Sequence, residues 1–224
     1  MSASKSALLL ASFVSGYYMD DNKTIQTFEK LLGQSIVNIK YIETKFHYSL
    51  SGNWTNVDPD LFVLHSPEWE ITFSNGQKWF LTNPQPPYDP AKQPIKSIVV
   101  NSSSIANSDD KIHIAPRTFG WKNIFEKEIT IIKFYKRVTQ TKKYFGLEIS
   151  KTYQDNIQII QFFFKDTSFS ITTMDGDIGR MTFYPTGYLG ERLGFFFDKT
   201  VAESHTVYGD TMRMEMIYQT NLKK

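Results

Sequence analysis

The octapeptide SIVNIKYI at residues 35–42 is nearly repeated as EITIIKFY at residues 128–135, and the reading of that echo decides the fold. Ile36, Ile39 and Lys40 recur as Ile129, Ile132 and Lys133 at a constant offset of 93. Both stretches carry the β-branched and aromatic residues that suit a pleated, half-buried surface. Their flanks repeat too. NKTIQTFEKLLGQ precedes the first, with Ile25, Phe28, Leu31 and Leu32 on one helical face, an acidic or amide cap among Asp20, Asp21 and Asn22, and Gly33 placed to end the helix. FGWKNIFEKE precedes the second, where Trp121, Ile124 and Phe125 stand 93 residues beyond Phe28, Leu31 and Leu32.

Farther on, WEITFSNGQKWFLT (69–82) is a hairpin pattern turning at Asn75-Gly76, and IIQFFFKDTSFSITT (159–173) is its counterpart, turning at Lys165-Asp166-Thr167. The order and near-constant spacing predict an α+β fold of two tandem helix-strand-hairpin modules, forming mainly antiparallel sheets with a few packed helices. TNPQPPYDPAKQP (82–94) has five prolines in 13 residues and reads as the connector, so the modules are expected at residues 1–95 and 96–224, as two domains or packed as one. RLGFFFDK is expected as a buried strand. TMRMEMIYQT alternates Met212, Met214, Met216 and Tyr218 with Arg213, Glu215 and Ile217, as a strand with one apolar face would.

Composition narrows the function classes. The 224 residues are 41% hydrophobic and 15% aromatic, enough for a real core and against disorder. Without cysteine there is no disulfide, no thiolate catalysis and no cysteine-held zinc or iron–sulfur cluster. No segment has the 18 to 20 unbroken apolar residues of a membrane span, and the chain reads as soluble and cytoplasmic; KSALLLASFVSG near the start has only Lys5 as a basic flank and reads as a helix before it reads as a secretory signal. The net charge of +2 is unevenly placed: residues 1–110 carry 8 basic and 11 acidic groups, residues 111–224 carry 17 and 12. Most of the basic excess lies in KFYKRVTQTKKYFGLEISK (133–151).

No reaction is legible. His47, His65, His113 and His205 are too far apart for a short-range metal pair, and no cofactor motif is present, so neither metal nor cofactor is expected. His65 followed by Glu68 and Glu70 could bring a carboxylate near an imidazole, but on a strand residue 65 points away from the face that 68 and 70 share unless a bend at Pro67 intervenes. Asp175-Gly176-Asp177 begins like a calcium loop, yet Thr186 stands where the twelfth-position glutamate belongs, and a turn between strands is the expectation. In the basic stretch, Lys136, Arg137, Lys142 and Lys143 beside Tyr135 and Tyr144 have the composition of a phosphate-and-base surface, and equally that of a solvated hairpin whose lysines shield an open edge.

The pattern FEKLLGQSIVNIKYI followed by WEITFSNGQKWFLT resembles small bacterial immunity proteins of the kind found beside polymorphic toxins. The resemblance implies a non-catalytic chain that binds and blocks a cognate toxin domain. Such a surface needs aromatic or arginine anchors near its centre. Residues in turn, proline-rich or basic surroundings fit that role: Trp54, Tyr88, Arg137 and Tyr144, with Lys136, Lys142 and Lys143 as charged neighbours. The rival expectations are a small-ligand or enzyme site between the modules, and nucleic-acid binding through residues 133–151, which the modest pI of about 8.5 disfavours.

Overall fold

The computed structural model describes residues 21–43, 63–66, 68–82, 98–106, 108, 111–115, 117, 119–153, 157–177, 182–185, 190–197 and 214–223. In chain order the elements are α1 (Asp21–Glu29), β1 (Ile36–Glu43), β2 (Val63–Ser66), β3 (Glu68–Phe73), β4 (Lys78–Thr82), β5 (Val99–Asn101), β6 (Lys111–Ile114), α2 (Phe119–Lys122), β7 (Ile131–Tyr144), β8 (Leu147–Tyr153), β9 (Ile159–Phe163), β10 (Ser168–Asp177), β11 (Thr182–Pro185), β12 (Gly190–Phe196) and β13 (Met214–Asn221). Two short helices beside thirteen strands make this a mainly antiparallel β structure among the described residues, with less helix than the sequence predicts. The second expected helix is a single turn, because tight backbone bonds from Asn123 to Gly120 and Ile124 to Trp121 close it at once. Neither helix is long and apolar enough to cross a membrane.

Five strands form one sheet in the order β5-β4-β3-β1-β6, and the other sheet runs β13-β7-β9-β10-β12-β2, with β8 added to β7 and β11 to β10. β5 and β6, which follow residue 95, belong to the first sheet, while β2, which precedes it, pairs with β12 in the second. The chain changes sheets within the few residues around position 67, since Ser66 pairs with Leu193 and Glu68 with Thr82.

The sequence echo is an echo of register. β1 sets Ile39 opposite Ile71 and Tyr41 opposite Trp69; β7 sets Ile132 opposite Phe162 and Phe134 opposite Ile160. The next hairpin repeats it, Trp69 facing Leu81 and Ile160 facing Ile171. Both turns fall where expected: Gly76 adopts φ +81° with the Gln77 N–H bonded to Asn75 Oδ1 (2.9 Å), and the Phe164 N–H bonds Thr167 O (2.8 Å). Where the two segments meet, the Gly33 N–H donates to Ile129 O and the Glu126 N–H to Ile36 O, both at 2.9 Å, and Ser35 bridges Glu128. Residues 33 and 126, again 93 apart, are both left-handed, at φ +80° and +62°. A Cβ on Gly33 would also come within 3.3 Å of Leu222 Cδ1, so the glycine serves both the turn and a close approach.

The inner faces of both sheets form one core. Phe28 of α1 meets Trp79 of the first sheet (centroids 5.4 Å) and Phe134 and Phe162 of the second (6.4 and 6.0 Å). Trp121 of α2 lies between Trp69 and Phe195 (6.1 and 5.8 Å), whose rings are themselves 4.0 Å apart, and Trp69 Nε1–H donates to Leu193 O at 3.1 Å. The outer face of the second sheet is also buried: Gln161, Ser170 and Thr172 are enclosed there beside Ile159 and Phe196, and Gln161 accepts from the Tyr135 hydroxyl (2.8 Å) and donates to Ser168 Oγ (3.3 Å).

Because Phe28 ties both sheets together, Phe28→Ala is expected to cost about 3–5 kcal/mol. In urea denaturation, tryptophan fluorescence and far-ultraviolet dichroism should shift together; a loss below about 1 kcal/mol, or two separate transitions, would show that the ring does not join the sheets.

Candidate functional site

β7 changes character halfway along. Through Phe134 its residues alternate into the core, but from Val138 to Tyr144 the sequence VTQTKKY supplies no inward apolar series. The strand runs on as an arm paired with β8, and its residues from Gln140 to Tyr144 belong to no core cluster among the described residues. β8 and β9 occupy one lane beside β7, since Val138 pairs with Tyr153 and Tyr135 with Ile159. β11 occupies the same lane beside β10, where Thr172 pairs with Ile159 and Met174 with Pro185. Beyond Ile159 the sheet therefore forks into two hairpins, β7–β8 and β10–β11. Asp175-Gly176-Asp177, expected as a turn, lies in the ladder of the second, paired with Thr182 to Tyr184.

The tip of the β7–β8 arm is a two-residue turn. Phe145 has φ +46° and Gly146 φ +84°, the signs of a type I′ hairpin turn, which matches the twist of its strands. Glycine and asparagine take the first position cheaply; phenylalanine does not. Phe145 is nonetheless 89% exposed, and Tyr144 (64%), Leu147 (73%) and Ile149 (63%) surround it. The Tyr144 and Phe145 rings touch edge to face at 4.5 Å. An apolar cluster held on a strained turn in water does not stabilise the chain by itself, and such clusters mark contact surfaces.

The base of the arm is anchored from three directions. Glu215 of β13 accepts from Lys151 Nζ (2.6 Å) and from the Tyr153 hydroxyl (2.8 Å), and Lys151 also lies 3.2 Å from Glu148. Lys136 pairs closely with Asp21 in the first turn of α1. Lys133 sits 4.7 Å over the Phe163 ring. Behind the anchor, Tyr218 of β13 donates to Glu29 Oε1 at 3.0 Å. That hydrogen bond to a carboxylate, with its negative charge, holds the phenol above its ordinary value of 10.0.

Of the residues expected to bind a partner, Trp54 and Tyr88 lie outside the described residues. Lys142, Lys143 and Tyr144 come together, exposed, near the arm tip. Lys136 and Arg137 stand apart at the base: Lys136 keeps only 12% side-chain exposure in its ion pair, and Arg137 Nε is buried. Phe145, Leu147, Ile149 and the anchoring Glu215 were not anticipated. The available signal for the tip was Phe-Gly between two strand-like runs, a weaker form of the Asn-Gly signature; Glu215 acts across 64 residues of chain and left no local trace.

The backbone of the imidazole–carboxylate grouping is divided between the two sheets. His65 belongs to the second sheet and Glu68 and Glu70 to the first. The Glu68 carboxylate is held by the Ser104 hydroxyl and by the Ile105 N–H (2.6 Å), and Glu70 lies 3.2 Å from Lys40 and 3.5 Å from Lys78. Compared with protein-family models, curated proteins and solved structures, the chain matches none of them.

Two outcomes follow. Phe145→Asn is expected to leave stability unchanged or raise it by about 0.5–1 kcal/mol in urea denaturation, since asparagine relieves the turn; a loss above about 1 kcal/mol would make the ring a structural element. In an NMR titration the Tyr218 ring is expected to deprotonate above the ordinary tyrosine range and to return towards it in Glu29→Gln. The raised value means that this bond contributes below pH 10 and is lost as pH rises through the folded-state value; an unchanged Tyr218 titration in the variant would remove the cause given.

Proposed function

We propose that this chain is a non-catalytic binding protein whose β7–β8 arm enters a cleft of a partner protein, in the manner of an immunity protein that occludes a toxin domain. The observation that carries the reading is Phe145, an 89% exposed aromatic held in a left-handed turn. Neither stability nor solubility is served by that residue there, whereas a partner pocket that buries the ring would gain roughly 1.5–3 kcal/mol from it. Tyr144, Leu147 and Ile149 widen the anchor, and Lys142 and Lys143 give it a charged rim. The two helix-strand-hairpin modules are read as copies of one unit. The arm belongs to the second copy, so the unit supplies the scaffold and the arm the contact.

Two observations favour this reading over its rivals. The carboxylates of the imagined ligand site, Glu68 and Glu70, are committed to internal bonds. In the basic stretch Lys136 and Lys151 are neutralised by Asp21 and Glu215, leaving Lys142 and Lys143 as the lysines directed outward at the tip. Two phosphate contacts give a salt slope of only about −1.8 on duplex DNA, a small electrostatic footprint for a nucleic-acid binder.

The test is to retain partners on the tagged full-length protein in its native cells, beside a Phe145→Asp/Leu147→Asp variant, and to identify them by mass spectrometry. A stoichiometric protein held by the wild type, lost from the variant, and toxic unless the wild-type chain is co-expressed is the expected result. Retention that ignores the variant, or of nucleic acid alone, would overturn the proposal.

A further inference from the structure

The side chains of the arm are ordered by their distance from its apex. Phe145 stands at the turn, 89% exposed, Tyr144 and Leu147 pair just behind it, and Lys143 and Lys142, both exposed, follow Tyr144 back along β7. At about 3.3 Å per strand residue, these lysines lie roughly 7 and 10 Å behind Phe145. Tyr144 and Lys142 share one face of β7 and Lys143 takes the other, so a cation flanks the apolar end on each side. Glu148, the carboxylate across from Lys143, lies 3.2 Å from Lys151, which answers its charge.

An apolar apex with cations set back by that depth matches the profile of a lipid surface. The apolar side of an interfacial segment sinks about 5–10 Å, to the boundary between headgroups and acyl chains. With the arm at that depth, Phe145 and Leu147 reach the acyl chains and Tyr144 lies at the boundary, where rings with a polar tip are favoured. Lys142 and Lys143 then stand level with the phosphates, their stems beside the apolar layer and their ammonium groups in the headgroups. Anionic headgroups attract lysines held there, and a bilayer asks for no shaped counterpart. The left-handed turn serves the same end, since it keeps an aromatic ring at the extremity where asparagine would make the turn without one.

We propose that the tip of the β7–β8 arm docks into the headgroup region of an anionic bilayer, with Tyr144, Phe145 and Leu147 entering the interface and Lys142 and Lys143 meeting the lipid headgroup anions. This is a second contact for residues that also face the partner protein. The two contacts exclude each other at any moment, and the lipid contact stands without the partner reading.

Vesicles of phosphatidylcholine with about 30% phosphatidylserine, beside vesicles of phosphatidylcholine alone, test it on the full chain. Because the sequence has no cysteine, a Leu147→Cys variant bearing an environment-sensitive fluorophore reports on the tip alone, and a Gln77→Cys variant carries the same probe at the exposed β3–β4 turn as control. Expected are a blue shift of the Leu147 probe with none at Gln77, and sedimentation of the wild type with anionic vesicles about tenfold stronger than with neutral ones. Phe145→Asn, which keeps the turn, should weaken vesicle binding about tenfold, and Lys142→Glu/Lys143→Glu should abolish the preference for anionic lipid. Equal binding to both kinds of vesicle, binding that ignores Phe145→Asn, a matching shift at Gln77, or no sedimentation at millimolar lipid overturns the proposal. So does a Leu147 shift that appears without vesicles and grows with protein concentration, which would place a second copy at the tip. A chain that ignores vesicles but holds a protein through its tip loses the lipid contact alone; a chain that binds vesicles and retains no protein loses the cleft reading alone.

Discussion

The architecture depends on one short backbone seam. Gly33 and Glu126 each bend left-handed and each donate an amide proton across to the other segment, to Ile129 and Ile36. These bonds are satisfied between equivalent positions, so the starts of β1 and β7 are fixed to each other before either strand meets its own sheet. Everything downstream inherits that alignment. With the strand starts pinned, Phe28 and Trp121 fall between the sheets, and the inward faces of both ladders close on a common core. A left-handed glutamate is costly, and its exposed carboxylate, 2.6 Å from Arg117, offsets little of that in water. The seam holds because the packing around it over-determines the backbone.

Much of this was legible in the residues. The Asn75-Gly76 turn, the Lys165-Asp166-Thr167 turn and the strand periods of β7, β9 and β10 are written locally, and their register follows because a slip of one residue would expose the core face. What failed were features that depend on distant parts of the chain. The passage of β2 into the other sheet is imposed by the edge of β12, 124 or more residues away in the neighbouring contact of Trp69 with Leu193. The last strand reads as having a Met–Tyr apolar face, yet a register shift between Met216 and Tyr218 lets Ile217 pack on the core and leaves Met216 and Tyr218 partly in water. The candidate site was half legible: its charges stood in plain sight, but the exposed tip shows only once the fold reveals where the core ends.

The arm also brings apolar side chains and charge together at one tip. Tyr144, Phe145, Leu147 and Ile149 sit at the very end of a hairpin, and Lys142 and Lys143 stand exposed beside them.

β7 has a mechanical consequence. It is one unbroken strand of 14 residues, roughly 45 Å long, whose lower half is clamped between β13 and β9 and whose upper half reaches the tip. A lateral push on Phe145 therefore acts on a lever. Its fulcrum lies where the lanes divide, and the load passes down the strand to Lys136 and its partner Asp21, at the beginning of α1. Displacement at the far end of the arm thus passes by way of the Glu215 anchor to the start of the helix held against the same strand.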